Sequence, residues 1–440
     1  MIMKFLEYLQ LINESKQPQI QMINEGGAAG HMPHIFENYD MTFAELKNML
    51  SEVFNGKIKL SEKTDGANIS VSWKDGELLF ARSATSVANP LKIEDLDNWV
   101  NDTENKVVRD SMAKAVRSLN DAFHKMSSAK LNKWFKNGKN FMSCEVICPD
   151  TTNVMDYGDV WLVQIHNITE YEIIKNSRGN LTSVKKKENP AIAYDIIKAL
   201  EKVDALNHDV FTITGPQVVS INDAFKAEKE LKNIDKELSR FMSKNKLSDS
   251  DTIGSFVKSE FAKYISKKPL GKLLKGHQNM FDIVFNKIVV GDNTIKKTRL
   301  PSIATEEGIN ASEFITAYNE LVNEGTTIIK GELLYPLEII CFKAAAAFLQ
   351  LLSGFLAANP TKMADDIRTE LEDTIDEFKN NPEVGPLLLR EIKKVEDIGI
   401  NKLVPTEGVV FVYNDNVYKL TGVFAPANKI LNRKYSGNLK

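Results

Sequence analysis

The spacing of apolar and polar residues divides the chain into a strand-rich part and a helical part. Residues 42–56 predict a helix that begins at a capping box of Thr42 and Glu45 and ends at Asn55-Gly56. Apolar and polar residues then alternate in the way typical of β-strands, at 57–63, 68–73, 77–82, 141–147 and 159–165. The stretch 103–136 has helical spacing. A mixed α/β unit is therefore expected at the start of the chain.

From about residue 186 the pattern becomes helical and stays so to about residue 400, with one short strand expected around 283–290. Strand character then returns, and 407–420 is typical of a hairpin that turns at Asn414-Asp415-Asn416. Strand-rich sequence thus brackets the helical residues. This favours an α+β fold with antiparallel sheets, in which 1–185 and 404–440 form one core and 186–403 is a helical insertion.

Charged residues are unevenly distributed along the chain, although the overall composition is ordinary. The 440 residues carry a formal net charge of −3, with 43% apolar and 26% charged residues, which argues against a disordered or fibrous protein. Within the insertion, however, 257–300 has ten basic and three acidic residues, whereas 361–400 has eleven acidic and six basic ones. The basic stretch, which includes Lys267, Lys268, Lys272 and Lys275, is either a solvated helix face or a groove for a phosphate backbone.

Targeting and membrane signals are weak. The three cysteines do not suggest a disulfide framework, and residues 1–17 are typical of an amphipathic helix rather than a signal peptide, so a cytoplasmic protein is expected. The apolar stretch 344–358 is too short to span a bilayer and predicts a buried helix. The segment 26–34, GGAAGHMPH, is either a linker or a backbone that contacts phosphate.

The most specific chemical pattern is EKTDGAN at 62–68. A strand delivers Lys63, and Gly66 follows three residues later, before the next strand. Lysine can act as a nucleophile when it is deprotonated, and glycine allows a ligand to approach the backbone closely. Taken alone, this short pattern also fits an ordinary hairpin turn.

Four further motifs accompany it in order along the chain: FARS with Arg82, FMSCEVICPD with Glu145, TEGVVFVY with Glu407 and VYKLTG with Lys419. Together with EKTDGAN they resemble motifs I, Ia, III, IV and V of the covalent nucleotidyltransferase superfamily, which comprises ATP-dependent DNA ligases, RNA ligases and mRNA capping enzymes. The asparagine that ends EKTDGAN is most similar to the nick-sealing RNA ligases of bacteriophages. The resemblance implies an ATP-grasp-like adenylation core and covers roughly 1–170 and 404–440, but not the insertion.

The resemblance implies an ATP-dependent ligase that works through an adenylylated Lys63, with Lys419 neutralising charge on the α-phosphate. It implies Mg²⁺ bound by Glu407, and as partner a nucleic acid with 5′-phosphate and 3′-hydroxyl ends, RNA being favoured over DNA. It further implies nucleotide contacts from a set of residues around motifs I to IV: Glu62, Asp65, Gly66, Asn68, Arg82, Glu145 and Glu407.

Some features depart from the family pattern. Motif V usually offers two lysines, and here Thr421 stands at the second position; for the aromatic residue that stacks on the base, the chain offers Trp161 or His166. Two alternatives therefore stay open: nucleotidyl transfer to another acceptor, and a non-catalytic protein that binds nucleic-acid ends. Strand parity provides a check. A three-residue loop at 414–416 would place Phe411 opposite Lys419, on the face that also carries Glu407, whereas a two-residue turn would put Glu407 and Lys419 on opposite faces and count against a common site.

Overall fold

A computed structural model describes most of the chain. The described residues are 33–63, 66–103, 106–151, 160–175, 179, 181–207, 210–215, 218–219, 227–292, 294–353, 360–404, 406–414 and 416–436. The helix predicted at 1–17, most of the GGAAGHMPH segment and the site candidate Asp65 lie outside them.

The fold is mixed α+β, as predicted, and contains two sheets. The strands are β1 (Leu60–Glu62), β2 (Ala67–Lys74), β3 (Glu77–Ala81), β4 (Leu91–Lys92), β5 (Asn140–Ile147), β6 (Leu162–Lys175), β7 (Leu181–Glu188), β8 (Thr212–Thr214), β9 (Val218–Val219), β10 (Val409–Tyr413) and β11 (Asn416–Leu420). The larger sheet has the order β4-β3-β2-β5-β6-β7, with β8 parallel to β6. The smaller sheet has the order β11-β10-β1-β9, and its strands pair antiparallel.

Helices surround both sheets. Those of eight or more residues are α1 (Phe43–Phe54), α4 (Lys106–His124), α5 (Ser128–Phe135), α6 (Pro190–Lys202), α7 (Glu228–Asn245), α8 (Ile253–Ser266), α10 (Gln278–Phe285), α12 (Ala311–Asn323), α13 (Thr326–Leu352), α14 (Pro360–Lys379), α15 (Pro386–Ile398) and α16 (Phe424–Ser436). Shorter helices are α2 (Ala84–Ala88), α3 (Leu96–Asn101), α9 (Pro269–Leu273) and α11 (Leu300–Glu306). The capping box predicted at Thr42 and Glu45 opens α1.

The larger sheet has one apolar and one polar face, as the alternation in β2 predicts. Ile69, Val71 and Trp73 point into a core that is closed by α4 and α5. The β2–β3 hairpin turns at Asp75-Gly76, where both residues have positive φ (52° and 89°), a backbone that suits the twist of a tight hairpin. Cys144 and Cys148 also lie in this core.

The helical part forms a second core that packs on the smaller sheet. Leu60 of β1, Phe411 of β10 and Leu420 of β11 belong to the same apolar cluster as α1 and α13. Most of residues 344–352 of α13 lie inside this cluster, which confirms the predicted buried helix over that range. None of the helices in the described part of the chain combines the length and apolar composition needed to cross a bilayer.

The short strand predicted around 283–290 is wrong. The segment is the end of α10 followed by a π-helical turn at Asn286–Val290. Its β-branched residues resemble a strand in sequence, but the buried side chains are Met280, Val284, Phe285, Ile288 and Val289. That spacing forms a helical stripe, and packing of the stripe against the helical core overrides the local β-propensity.

The beginning of the predicted insertion packs with the sheets. Ala193, Ile196 and Leu200 of α6 lie in the core of the larger sheet. The strands β8 and β9 pair with β6 and β1, respectively. Within the predicted insertion, the first described residue that belongs to the second, helical core is Ala227, immediately before α7.

Two helices of the second core are joined by a buried ionic cluster. Glu338 of α13 accepts hydrogen bonds from Lys394 Nζ (2.5 Å) and Arg390 Nη2 (2.8 Å) of α15. The Lys394 side chain is only 2% exposed. Arg390 fits here because residue 331 is glycine: a Cβ at Gly331 would lie 1.4 Å from Arg390 Nη1.

We predict that Glu338→Gln lowers the free energy of unfolding by about 3 kcal/mol, because it leaves the buried Lys394 ammonium short of a counter-charge. Urea denaturation measures this change. The matched control is Glu396→Gln on α15, which breaks an exposed pair with Lys379 and should cost less than about 1 kcal/mol. Equal effects of the two substitutions would contradict the prediction.

Candidate active site

Lys63 and Glu407 meet at one end of the smaller sheet. The Lys63 ammonium donates a hydrogen bond to Glu407 Oε2, and the two side chains are 21% and 19% exposed. Pairing of β1 with β10 sets this contact, because Glu62 lies opposite Val409 and Lys63 N–H donates to the Gly408 carbonyl (2.8 Å). Gly408 is required for the approach: its φ is +125°, and a Cβ there would lie 2.1 Å from the Leu420 carbonyl oxygen.

Lys419 lies on the same face of this sheet. Lys419 pairs with Val410 of β10, and Val410 pairs with Ser61 of β1, so the three side chains lie on one face of the sheet. Because side chains alternate along a strand, Lys63, two residues after Ser61, lies on that face as well. Burial lowers the pKa of Lys419, Glu37 acts to raise it, and the charge of Lys63 lowers it further. The structure therefore brings Lys63 and Glu407 into contact and places Lys419 close enough for the charges of both to act on it.

The turn between β10 and β11 is shorter than the sequence predicts. Tyr413 pairs with Asn416 and Phe411 pairs with Tyr418, so the β10–β11 hairpin has a two-residue turn, and the predicted pairing of Phe411 with Lys419 is wrong. By parity, a two-residue turn is the outcome expected to separate Glu407 from Lys419. The parity count assumed a continuous strand from Glu407. Glu407 instead precedes β10, and the positive φ of Gly408 interrupts the alternation, so the charge of Glu407 still acts on Lys419.

The larger sheet lies beside this cluster because of Gly66. A Cβ at Gly66 would lie 2.6 Å from the Val146 carbonyl oxygen and 3.0 Å from Glu145 Cγ, so the chain passes directly against β5. Gly66 is three residues from Lys63, and a chain of that length spans at most roughly 11 Å. Glu145 is therefore near the Lys63 end of the smaller sheet, and we refer to the space between Glu145 and Lys63 as the cleft.

The cleft face of the larger sheet is polar. Asn68 lies opposite Glu145 in the β2–β5 register, and its Nδ2 donates to Ser143 Oγ (3.0 Å). Glu145 is 6% exposed, and its Oε2 lies 3.6 Å from His166 Nε2. Ser70, Ser72, Gln164 and Thr169 are also buried. A sheet face of this composition suits a hydrogen-bonding ligand better than an apolar one.

A β-bulge in β6 decides which aromatic residue faces the cleft. The pairing shifts between Ser143 and Cys144, so that β6 has one extra residue, His166. Trp161 packs edge-on against Phe211 and joins the apolar core of the sheet. Of the two aromatic candidates, His166 is the one on the cleft face.

Comparison with family models, with curated proteins and with solved structures finds no match to this chain.

Arg82 follows β3 at the rim of the cleft. Burial lowers its pKa, the neighbouring Arg109 lowers it further, and Glu145 acts in the opposite direction. The Arg109 guanidinium is held by the carbonyl oxygens of Trp99 (2.6 Å) and Asp102 (3.0 Å) and lies 5.0 Å from the centre of the Trp99 ring. Sequence reasoning missed Arg109, because one arginine in a regular helix carries no distinguishing pattern.

Glu62 is placed differently from Lys63. It lies on the opposite face of β1, is 3% exposed and accepts a hydrogen bond from Thr406 Oγ1 (3.3 Å). Its carboxylate therefore points away from the face that carries Lys63, and any nucleotide contact from Glu62 stays a prediction.

The donor set suits a magnesium ion that is shared with phosphate. His, Cys, Asp and Glu side chains of the described residues form no group of three or more that could enclose a metal. Mg²⁺ is commonly held by one or two carboxylates together with substrate phosphates, so Glu407 at the Lys63 end of the cleft fits that mode.

The basic stretch of the insertion lies on and around α8 and α9. Lys267, Lys272 and Lys275 are exposed and form no ion pair with the described residues. Lys268 differs, since its Nζ contacts both carboxylate oxygens of Glu324 (2.6 Å each) and lies 4.5 Å from the centre of the Tyr264 ring. Three of the four lysines are thus available to an anionic partner.

We predict that Lys419→Met stabilises the protein at pH 7. The pKa of Lys419 is lower in the folded protein than in the unfolded chain, where it is about 10.4. Between these two pKa values the unfolded chain binds more protons than the folded protein does. The free energy of unfolding of the wild type therefore rises with pH in that interval. Urea midpoints at pH 7 and near pH 10 measure the effect, which should shrink at the higher pH. The control Lys57→Met, at an exposed lysine that is not among the charges acting on Lys419, should change little. A destabilised Lys419→Met protein at pH 7 would count against the prediction.

Proposed function

We propose that this protein is an ATP-dependent polynucleotide ligase with a nucleotidyltransferase core, and that it acts through an adenylylated Lys63. The convergence of Lys63, Glu407 and Lys419 on one sheet face, opposite Glu145, is the observation that carries the proposal. These residues come from distant parts of the sequence, and they are the ones that the motif resemblance assigns to the reaction.

In the proposed first step, the neutral amine of Lys63 attacks the α-phosphorus of ATP. A nitrogen–phosphorus bond forms, the bond to the β-phosphate oxygen breaks, and pyrophosphate leaves with that electron pair. Lys63 must first lose a proton, because in the free protein its ammonium is engaged by Glu407. A positive charge at Lys419 favours that loss and also neutralises charge that develops on the α-phosphate.

Glu407 is the residue that would hold Mg²⁺, which supplies Lewis-acid neutralisation of the phosphate oxygens. In the proposal, Glu145 accepts hydrogen bonds from the ribose hydroxyls. Arg82, with Arg109 beside it, can make charge-assisted contacts to a phosphate group. Both arginines have N–H donors arranged in a planar fork that suits phosphate oxygens.

The proposed later steps consume a nucleic-acid end. An oxygen of a 5′-phosphate displaces Lys63 from the adenylate, which forms a 5′–5′ phosphoanhydride. A 3′-hydroxyl then attacks the 5′-phosphorus, and AMP leaves with the electron pair. We propose RNA rather than DNA as the substrate, on the resemblance of EKTDGAN to phage RNA ligases, and we assign the grip on its backbone to the exposed lysines around α8 and α9.

We predict that the protein becomes labelled by ATP carrying ³²P at the α-phosphate, in the presence of Mg²⁺, and that the label survives denaturation. Lys63→Ala should abolish labelling because no nucleophile remains. Lys57→Ala, a change at an exposed lysine six residues earlier, is the matched control and should label as the wild type does.

Three results divide the candidate functions. Absence of label on the wild type would remove the covalent enzyme and favour the non-catalytic, end-binding alternative. If the labelled protein joins no 5′-phosphorylated RNA or DNA, the result would support a nucleotidyltransferase and contradict a ligase. Lys63→Ala protein that still labels would remove the assignment of the nucleophile.

We predict that replacing Lys267, Lys272 and Lys275 by Gln weakens binding to 5′-phosphorylated RNA and flattens its dependence on salt. Each lost phosphate contact should reduce the slope of log affinity against log salt by roughly 1 unit or slightly less. Fluorescence anisotropy at several salt concentrations measures both. The control with the same loss of charge replaces Lys229, Lys232 and Lys236, which are exposed on α7. Equal losses from both triple variants would show a general charge effect and no local binding surface.

A further inference from the structure

The cleft face of the larger sheet contains buried polar atoms that have no hydrogen-bond partner. Asn167 is 0% exposed, and neither its Oδ1 nor its Nδ2 is bonded in the structure. Asn68 Oδ1 and His166 Nε2 are likewise buried and unbonded. Such atoms are uncommon in folded proteins, since each loses its hydration without compensation. Their grouping on one face indicates a polar ligand.

The β-bulge is what places Asn167 on this face. Ile165 and Ile168 both point into the apolar core of the sheet, although they are three residues apart. The extra residue at the bulge allows this and turns both His166 and Asn167 to the cleft side. A regular strand would have placed one of these two side chains in the apolar core.

The register gives the order of groups along the cleft. Gly66, and with it the Lys63 end, lies against Glu145 and Val146 of β5. Asn167 lies opposite Ser143, two residues farther along β5, and Asn68 donates to that same Ser143. Glu145 is therefore between Lys63 and Asn167. A nucleotide has the same order, with the ribose between the α-phosphate and the base.

We propose that Asn167 recognises the hydrogen-bonding edge of the purine base, with Asn68 Oδ1 and His166 Nε2 as neighbouring groups. The proposal rests on the proposed function, which puts the α-phosphate at Lys63. A side-chain amide offers a donor beside an acceptor, which matches the N6–H donor of adenine and the acceptor nitrogen next to it. Both amide atoms of Asn167 are free to make this pair.

Replacing the amide by a carboxylate changes its pattern without changing its size. An aspartate at position 167 only accepts, so it meets a lone pair at the acceptor nitrogen of adenine. It matches the adjacent N1–H and N2–H donors of guanine. If Asn167 had a purely structural role, its replacement would change the affinity for ATP and for GTP by the same factor.

The experiment compares Asn167→Asp, Asn167→Leu and wild type for labelling by α-³²P-ATP and α-³²P-GTP, and for equilibrium binding of both nucleotides. Asn167→Asp should shift the GTP-to-ATP ratio in favour of GTP by roughly 5- to 150-fold, the range of one good bidentate contact. Asn167→Leu should weaken ATP binding to a similar degree. Ser118→Ala, at a buried polar side chain of α4 that donates to the Lys114 carbonyl oxygen, is the control and should leave the ratio unchanged.

An unchanged ratio in folded Asn167→Asp protein would overturn the inference while the covalent reaction stands. If Asn167→Asp does not fold, an Asn167→Leu protein that binds ATP as the wild type does would overturn it equally. If the wild type does not label but binds ATP, the ratio of bound nucleotides in the variants tests the inference by itself. Failure of the wild type to label with or bind either nucleotide would overturn this inference together with the proposed function.

Discussion

The antiparallel pairing of β1 with β10 is the contact on which the rest of the structure depends. It joins Leu60–Glu62 to Val409–Tyr413, so that nearly all of the intervening chain forms one closed loop. The entropic cost of closure grows only slowly with loop length, so a large insertion between the two strands is tolerated. One face of the pair packs on the helical core, and its other face carries Lys63 beside Glu407.

Because side chains alternate along a strand, this pairing also puts apolar side chains on one face of the smaller sheet and the charged ones on the other. Leu60, Phe411 and Leu420 are buried among the helices, whereas Ser61, Val410 and Lys419 face the other way. The apolar face contributes the free energy of burial that holds the charged face in place. Burial lowers the pKa of Lys419, and the charge of Lys63 acts in the same direction; shifts of this kind are common where charged groups are gathered for binding or catalysis.

Two glycines set the distances within the cleft. Gly408 lets β10 begin directly against Leu420, and Gly66 lets the chain cross β5 beside Glu145. At either position a side chain would meet backbone atoms, which cannot move aside as a flexible side chain can. These two close approaches are therefore properties of the backbone.

The sequence by itself determined most of the secondary-structure elements that local patterns specify. The capping box at Thr42, the alternation in β2 and the α+β class were all predicted correctly, because each depends on neighbours a few residues away. Only the tertiary structure decided features that depend on distant contacts. The helical core made 283–290 helical, and the register of β10 with β11 set a two-residue turn. A single bulge turned Asn167 toward the cleft, and no local pattern signals a shift of pairing between distant strands.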